Sequence, residues 1–241
     1  QGQCVMPHNH QHVLGNFHMA GENEVSEAIE SSMLAWGTWS KTSLEERTKI
    51  FRKAAKLLQG PWRDTINAAT MLNQSKNAFQ AEIDASCELI DFFNFNCQYA
   101  EDIHNNQPLI SPEGVKNSLE YRPLEGFVFA ITPFNFTSIA GNLPCAPALM
   151  GNVAIWKPAS SAVLPCYYLM EMLKEAGLPD GVINFLPGSG SKVGDPVLTN
   201  PNLSGVHFTG STQTFQHIWK TIGKNIDRYK TYPRIVGETG G

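Results

Sequence analysis

The stretch 126–135, GFVFAITPFN, decides the fold, because five apolar residues from Phe127 to Ile131 are followed at once by Thr132 and Asn135. A short apolar run that ends in polar residues is typical of a buried parallel strand whose carboxyl end faces a ligand. Similar runs follow at Val153–Trp156, Val182–Leu186, Val206–Thr209 and Ile235–Glu238. Helix-sized segments separate them, at Ile139–Met150, Ala162–Ala176, Ser191–Leu198 and Gln213–Ile226. The alternation predicts an α/β fold with a doubly wound, Rossmann-like parallel sheet covered on both faces.

The chain before this sheet is predicted to be mainly helical. Apolar residues recur at helix spacing from Glu22 to about Asp102, and Ser43-Leu-Glu-Glu46 has the pattern of a capping box. A segment from Ala78 to about Tyr99 carries its apolar residues on or near one face: Phe79, Ile83, Leu89, Ile90, Phe93 and Cys97. The Pro/Ser/Gly-rich stretch from Gln107 to Gly114 indicates a loop. We therefore expect a helical part over residues 1–117 and a Rossmann-like core over residues 118–241.

Composition excludes several classes of function. The 241 residues include 18 basic and 22 acidic side chains, a formal charge of −4, and no basic stripe that would bind a nucleic acid backbone. No apolar run approaches the roughly 20 residues of a membrane-spanning helix. The sequence thus predicts a protein without nucleic acid or membrane partners.

The five cysteines are odd in number and never spaced as CxxC, which favours reduced thiols over a disulfide framework. Their default interpretation is as buried small hydrophobes, although Cys166 falls in a helical run that we expect to face solvent. The cysteines are Cys4, Cys87, Cys97, Cys145 and Cys166. The run His8-Asn-His10-Gln-His12 alternates like a strand, but no cysteine or carboxylate completes a metal-binding set with it, so we expect no metal.

Two glycine-containing motifs could contact phosphate. Thr209-Gly-Ser-Thr212 ends a strand and opens a helix, so its amides and hydroxyls could hold a diphosphate at the positive end of the helix dipole. An ordinary Ser/Thr cap explains the same motif. Gly188-Ser-Gly190 is compatible with a turn as well as with a phosphate contact.

Three polar residues at strand ends could carry chemistry. The ammonium of Lys157 could donate to ribose hydroxyls, the amide of Asn135 could donate to a developing oxyanion, and Glu238 could act as a general base. Each of these residue types is also common on a solvated loop, and one residue alone does not separate the two interpretations.

The motifs in their order point to a family. ITPFNFT, IWKPAS, AGLPDGVINFLPG, FTGST and GETGG together resemble the aldehyde dehydrogenase superfamily over essentially the whole chain. CVMPHNHQH, AEIDASCELIDFF and TPFNFTSIAGNLPCAPALMGN are similar to the pyrroline-5-carboxylate dehydrogenases of that superfamily. The resemblance implies NAD-dependent oxidation of the small aldehyde L-glutamate γ-semialdehyde to L-glutamate in proline breakdown. It also implies a mitochondrial matrix location and a homodimer when full length.

The resemblance assigns a role to each matching residue. It makes Asn135 the oxyanion donor and Glu238 the general base. Thr132 and Lys157 would contact NAD, and the diphosphate would lie on Gly210, Ser211, Thr212, Gln213 and Thr214. Phe136 and Glu88 would border the substrate pocket, although Glu88 is equally explained as a polar position on an amphipathic helix. A strand at Ser118–Arg122 is also implied.

Two departures from the family pattern limit these expectations. Ser160 stands where many members have an acid that repels a 2′-phosphate, so NAD rather than NADP rests on the resemblance. The family's nucleophilic cysteine lies beyond the GETGG motif, so we expect a fragment that lacks both termini and has no dehydrogenase activity alone. Three alternatives stay open: an NAD-binding module without catalysis, a dehydrogenase of another aldehyde, and a partner-binding remnant without a ligand.

Overall fold

The computed structural model describes residues 1–240. A two-stranded antiparallel hairpin, β1 (Gly2–Met6) and β2 (Asn9–Phe17), begins the chain. The helices that follow are α1 (Glu22–Trp39), α2 (Leu44–Gln59), α3 (Arg63–Gln74), α4 (Ala78–Ala81) and α5 (Leu89–Asn105), with a π-helical segment, Glu82–Glu88, joining α4 to α5. The predicted capping box at Ser43 is confirmed, since its hydroxyl accepts from the Glu46 amide at 3.2 Å while the Glu46 carboxylate accepts from the Ser43 amide.

The π-helical segment changes which side of the third helical region is buried. Phe79 and Ile83, which we predicted on the apolar face, are 74% and 50% exposed. The other four predicted positions, Leu89, Ile90, Phe93 and Cys97, are buried, and Ala81 and Ala85 continue the buried row back through the π-helical segment at a spacing of four. A spacing of four exceeds the α-helical period of 3.6, and the wider π turn accommodates it.

The predicted parallel sheet is confirmed. Its strands are β3 (Phe127–Ile131), β4 (Val153–Lys157), β5 (Ile183–Phe185), β6 (Leu203–Gly210) and β7 (Arg234–Thr239), all parallel, in the order β5-β4-β3-β6-β7. The connecting helices are α6 (Thr137–Leu149), α7 (Val163–Ala176), α8 (Asp195–Leu198) and α9 (Thr212–Lys224), and a π-helical turn, Gly190–Gly194, precedes α8. The predicted loop at Gln107–Gly114 contains no helix or strand. The strand expected at Ser118–Arg122 is wrong, because residues 118–125 form neither.

Helices cover the two faces of the sheet in separate groups. From β3 through α6 and α7 to β5 the chain moves one way across the sheet, and from β6 through α9 to β7 it moves the other way, so right-handed crossovers place the two sets of helices on opposite faces. The central strands β3 and β4 are almost entirely buried, but the edge strand β7 is not, with Val236 60% exposed. Within residues 1–240, helices therefore cover the central strands of the sheet as predicted and leave the edge strand β7 partly exposed.

The N-terminal helices and the sheet share one hydrophobic core. The indole of Trp39 in α1 donates 2.9 Å to the carbonyl of Ala148 in α6, and Trp36 donates 2.8 Å to the carbonyl of Leu124 just before β3. These bonds tie the helical layer to the amino-terminal edge of the sheet, opposite the carboxyl ends of the strands on which the predicted site depends.

Candidate functional site

The carboxyl ends of the strands form one edge of the sheet, and most of the predicted site residues lie along it. Ile131 at the end of β3 pairs with Lys157 in β4 and with Phe208 in β6, while Thr209 in β6 pairs with Glu238 in β7. The chain reverses its direction across the sheet between β3 and β6. Ligands of doubly wound sheets bind outside such a switch point.

One cavity at this edge, which we call the lysine cavity, has a volume of about 370 Å³. It is lined by Ile131, Lys157, Gly190, Ser191, Gly194, Asp195, Leu198, Thr214, His217 and Ile218. The Lys157 ammonium lies 3.5 Å from the Pro158 carbonyl, and no carboxylate within residues 1–240 forms an ion pair with it. Burial lowers the pKa of Lys157, because the charged form loses hydration there. A ligand hydroxyl could replace part of that hydration.

The helix start beside this cavity is capped by its own side chains. The hydroxyl of Ser211 accepts from the Thr214 amide at 3.2 Å and lies 2.9 Å from the Thr214 hydroxyl. The ordinary Ser/Thr cap, which was the alternative explanation of the Thr209–Thr212 motif, is therefore present at Ser211. Because the first four amides of an α-helix have no partner inside it, the amides of Thr212 and Gln213 are still suited to an anion.

The second glycine motif also makes a cap. The hydroxyl of Ser189 accepts from the Lys192 amide at 3.2 Å and so opens the π-helical turn at Gly190. A Cβ on Gly188 would lie 2.4 Å from a methyl carbon of Val193, which explains a glycine at that position by close packing. Gly190 and Ser191 nevertheless line the lysine cavity.

A second cavity, of about 340 Å³, holds two of the predicted carboxylates, and we call it the carboxylate cavity. Its lining is Glu88, Phe92, Ile139, Asn142, Leu143, His207, Phe208, Thr209, Val236, Gly237 and Glu238. The hydroxyl of Thr209 donates 3.2 Å to Oε2 of the exposed Glu238. His207 lies 3.0 Å from the Leu143 carbonyl, and burial lowers its pKa. Glu88 and Glu238 thus face one space from helix and sheet.

Strand β6 separates the two cavities. His207 faces α6 and the carboxylate cavity, whereas the ring of Phe208 stacks on Phe215 of α9 with centroids 5.8 Å apart. A Cβ on Gly237 would come within 2.2 Å of the Phe215 ring. Close packing therefore requires a glycine at position 237. The side chain of the next residue, Glu238, is exposed to solvent.

The remaining predicted residues lie between β3 and α6. Thr132 is buried, and its hydroxyl accepts 3.0 Å from the indole of Trp156. Asn135 and Phe136 are exposed and line neither cavity. Glu88 is reached from the first turn of α6, since the hydroxyl of Ser138 lies 2.5 Å from its Oε2.

The cysteines are mostly packing residues. All five are unpaired thiols, four of them are buried, and Cys87 is exposed. Our expectation was wrong for Cys87, which lies on the open side of the π-helical segment, and for Cys166, which is 1% exposed because its side of α7 faces the core. Burial raises the pKa of Cys97 to about 11. No cysteine lines the lysine or the carboxylate cavity among residues 1–240.

Other parts of the surface hold none of the predicted residues. A larger cleft, of about 560 Å³, lies at the amino edge of the sheet, where Arg122, Glu125 and Arg234 contribute to its walls.

Within residues 1–240 no group of three or more His, Cys, Asp or Glu residues could hold a metal ion, and no helix is both long and apolar enough to cross a bilayer.

Sequence reasoning missed several polar residues around these sites. Asp195 and His217, 3.4 Å apart, line the lysine cavity, and Asp84 with Lys76 lies under the loop that carries Asn135. The one available signal was the four-residue spacing of Asp84 and Glu88, which puts two acids on one side of a helical segment.

Residues 1–241 match the sequence model of the aldehyde dehydrogenase family. Among solved structures, the chain is similar to the delta-pyrroline-5-carboxylate dehydrogenase from Mycobacterium tuberculosis bound with NAD, with a TM-score of 0.98 and 54% identity. That likeness covers 100% of this chain and 45% of the other.

The chain is also similar in sequence to curated delta-1-pyrroline-5-carboxylate dehydrogenases. The probable delta-1-pyrroline-5-carboxylate dehydrogenase of Schizosaccharomyces pombe is 48% identical over 242 residues, covering 100% of this chain and 44% of its own length. The mitochondrial delta-1-pyrroline-5-carboxylate dehydrogenase of Homo sapiens is 48% identical over 237 residues, covering 98% of this chain and 42% of its own length. The chain therefore spans less than half the length of these relatives.

Proposed function

Since the chain belongs to the aldehyde dehydrogenase family, we propose that it is the NAD-binding portion of a longer enzyme that oxidises L-glutamate γ-semialdehyde to L-glutamate. Residues 1–117 form the helical part of that portion in this proposal, and residues 118–241 form its Rossmann-like core. The observation that carries the proposal is the pair of cavities on either side of β6, one with Lys157 and the start of α9 and one with Glu88 and Glu238. The similarity to an NAD-bound dehydrogenase supports it.

The residues of the lysine cavity suit a dinucleotide. Lys157 would donate to a ribose, and the amides of Thr212 and Gln213, with Gly210, Ser211 and Thr214, would hold the diphosphate at the positive end of α9. Thr132, whose hydroxyl oxygen accepts from Trp156, keeps its hydroxyl hydrogen for a ligand. NAD, when bound, supplies the hydride acceptor of the reaction.

The carboxylate cavity suits the aldehyde. Glu238 would take the proton from the attacking thiol or water. Asn135 and Phe136 lie outside the lining of this cavity, on the exposed loop after β3. From there Asn135 would donate its amide to the oxyanion, a contact that is typically worth about 3–4 kcal/mol, and Phe136 would border the substrate together with Glu88. Glu238 reaches solvent in this arrangement, so it can pass its proton on between steps.

Calorimetry tests cofactor binding by the 241-residue chain itself. We expect heat on addition of NAD and a dissociation constant about tenfold higher for Lys157→Ala, because a partly buried ammonium that donates to the ligand is lost. Lys49→Ala, at an exposed helix position in α2, is the matched control and should bind as the parent does. Absence of heat with NAD, or equal binding by all three proteins, contradicts the assignment.

A binding module without catalysis is the second candidate, and one observation favours it for the isolated chain. Neither cavity is lined by a cysteine in the part of the chain that the structure describes. We expect no rise in absorbance at 340 nm when the 241-residue chain is mixed with NAD and glutamate semialdehyde. The complete enzyme should give that rise. Turnover by the isolated chain would reject the proposed need for a further cysteine, and the same assay with other small aldehydes tests substrate choice.

We also propose that the complete enzyme is a homodimer in the mitochondrial matrix. The mitochondrial name of the human relative supports the location. Light scattering on the complete enzyme and protease protection in isolated mitochondria test the two statements. A monomer, or a protein digested outside intact mitochondria, contradicts them.

A further inference from the structure

A polar cluster lies beneath the loop 132–136, and Asp84 is its centre. The carboxylate of Asp84, 3% exposed, accepts from the Thr137 amide at 3.0 Å, from the Ser138 amide at 3.0 Å and from the Ser138 hydroxyl at 2.8 Å. The ammonium of Lys76 completes the set at 2.6 Å. One buried acid therefore holds the first turn of α6, directly after Asn135 and Phe136.

Lys76 extends this cluster to the loop itself. Its ammonium lies 4.3 Å from the centroid of the Phe136 ring while it is paired with Asp84. A cation over an aromatic face is attracted to it, and the attraction is larger where water is excluded. The side chain of Lys76 is only 15% exposed. The Lys76 ammonium thus contacts the Phe136 ring while its own position is fixed by the ion pair with Asp84.

Ser138 connects the cluster to Glu88. Its hydroxyl oxygen lies 2.8 Å from Oδ1 of Asp84 and 2.5 Å from Oε2 of Glu88, but a hydroxyl has one hydrogen to donate. The orientation of that hydrogen therefore depends on both acids. Phe136 and Glu88, the two residues that we assigned to the substrate pocket, are each linked to Asp84 through one intermediate residue. Lys76 links Phe136 to Asp84, and Ser138 links Glu88 to it.

The π-helical segment makes the arrangement possible. Glu82–Glu88 carries both Asp84 and Glu88, and its wider turn directs the two acids toward the start of α6. From the other side, Thr70 and Gln74 of α3 reach the Thr137 hydroxyl at 2.8 and 2.9 Å. π turns are rare in proteins, and those that occur are often found at functional sites.

We propose that Asp84 and Lys76 are positioning residues, which fix Asn135 and Phe136 in the geometry that the aldehyde requires. They touch neither substrate nor cofactor and act through the loop 132–136. The proposal rests on the function proposed above, because it assigns a task to the site named there. Removing either charge leaves the other buried without its partner, so the start of α6 and the loop before it are expected to move.

Kinetics of the complete enzyme test this. Lys76→Met should raise the KM for the aldehyde and lower kcat, with a combined loss of at least tenfold in kcat/KM, while the dissociation constant for NAD stays within twofold. Lys76→Arg keeps a cation beside Asp84 and should recover most of the loss. Arg63→Met is the matched control, because Arg63 pairs with Glu82 in the same π-helical segment and does not touch the loop. A kcat/KM of Lys76→Met within twofold of the parent, or an equal loss in Arg63→Met, overturns the proposal.

A second measurement in the same protein does not depend on turnover. Hydrogen exchange of the peptide that covers residues 132–140 should be at least tenfold faster in Lys76→Met and in Asp84→Asn than in Arg63→Met. Unchanged exchange in that peptide rejects the positioning role even if activity falls. If exchange rises as expected while the parent enzyme has no activity toward glutamate semialdehyde, the proposed function fails and the structural role of the pair stands.

Discussion

The hydroxyl of Thr209 donates a hydrogen bond of 3.2 Å to Oε2 of Glu238, and the two residues are direct partners in the register of β6 and β7. The carboxylate is exposed, so this contact restricts its direction without removing it from water. A base that is held in one direction and still hydrated can receive a proton and release it.

Glu238→Gln in the complete enzyme should lower kcat for aldehyde oxidation by about 100-fold or more, since a positioned general base contributes roughly 10²–10⁴. Thr209→Val removes only the orienting contact and should cost less than tenfold. Both variants should bind NAD as the parent does. The assignment of Glu238 is wrong if Gln at this position keeps more than a tenth of the parent kcat.

Gly237→Ala should destabilise the chain by about 1–3 kcal/mol, because its Cβ would lie 2.2 Å from the ring of Phe215 and overpacking forces the neighbours apart. Gly223→Ala in α9 is the control, since nothing lies within 4 Å of its Cβ, and it should be neutral or stabilising by up to about 1 kcal/mol. Urea unfolding followed by circular dichroism measures both. Equal midpoints for the two variants would contradict the packing argument.

Arg47→Leu should lower the free energy of unfolding by about 2 kcal/mol, because two carbonyls lose a buried donor. The guanidinium donates 2.7 Å to the carbonyl of Leu149, at the end of α6, and also to the carbonyl of Thr42. Arg52→Leu on the same helix breaks only a partly exposed ion pair with Glu101 and should cost less than about 1 kcal/mol. Urea midpoints that rank the two variants in reverse order would reject this account.

Thiol labelling at pH 8 should modify one cysteine rapidly in the folded chain and all five after denaturation. Cys87 is the exposed thiol, and Cys87→Ser should abolish the rapid phase. Burial raises the pKa of Cys97 to about 11, so less than roughly one hundredth of it is thiolate at pH 8. More than one rapid equivalent in the parent chain would contradict the burial of the other four.

The same burial gives a pH dependence of stability. The pKa values of Cys97, Cys145 and Cys166 are all raised by desolvation in the folded chain, so the unfolded chain loses these protons at lower pH. The stabilisation is complete below the ordinary thiol pKa near 9 and is lost as pH rises through the raised values. We expect the urea midpoint to fall between pH 9 and 11, and to fall less in Cys97→Ala. A midpoint that is flat over this range in the parent would contradict it.

The sheet could be predicted from the sequence because its strands are buried on both faces. Phe127–Ile131 and Val153–Trp156 appear as unbroken apolar runs, and the polar residues that follow them mark the edge where ligands bind. The hairpin could not be predicted in this way. Its second strand, Asn9–Phe17, is largely exposed. The run His8–His12 alternates like a strand, but it has no apolar face that would predict its pairing with β1.

The cluster around Asp84 was missed for a different reason. Asp84 binds the Thr137 and Ser138 amides, which are more than fifty residues away in the chain, and no local pattern records such a contact. The π-helical segment that carries it also shifted the buried face, so Phe79 and Ile83 were placed on the wrong side. Asn135 could be singled out by its place after a buried strand, whereas Phe136 was found by resemblance alone, and the roles of both stay predictions.

The alternation of side chains along β6 limits how this segment can evolve. The side chains of His207 and Thr209 contact the Leu143 carbonyl and Glu238, whereas the ring of Phe208, a residue that also lines the carboxylate cavity, stacks on Phe215 of α9. Inserting or deleting a single residue between Val206 and Gly210 would exchange the two faces, sending the aromatic ring toward the carboxylates and the polar side chains into the apolar layer. A change in the length of this strand should therefore be more disruptive than a substitution that keeps its register.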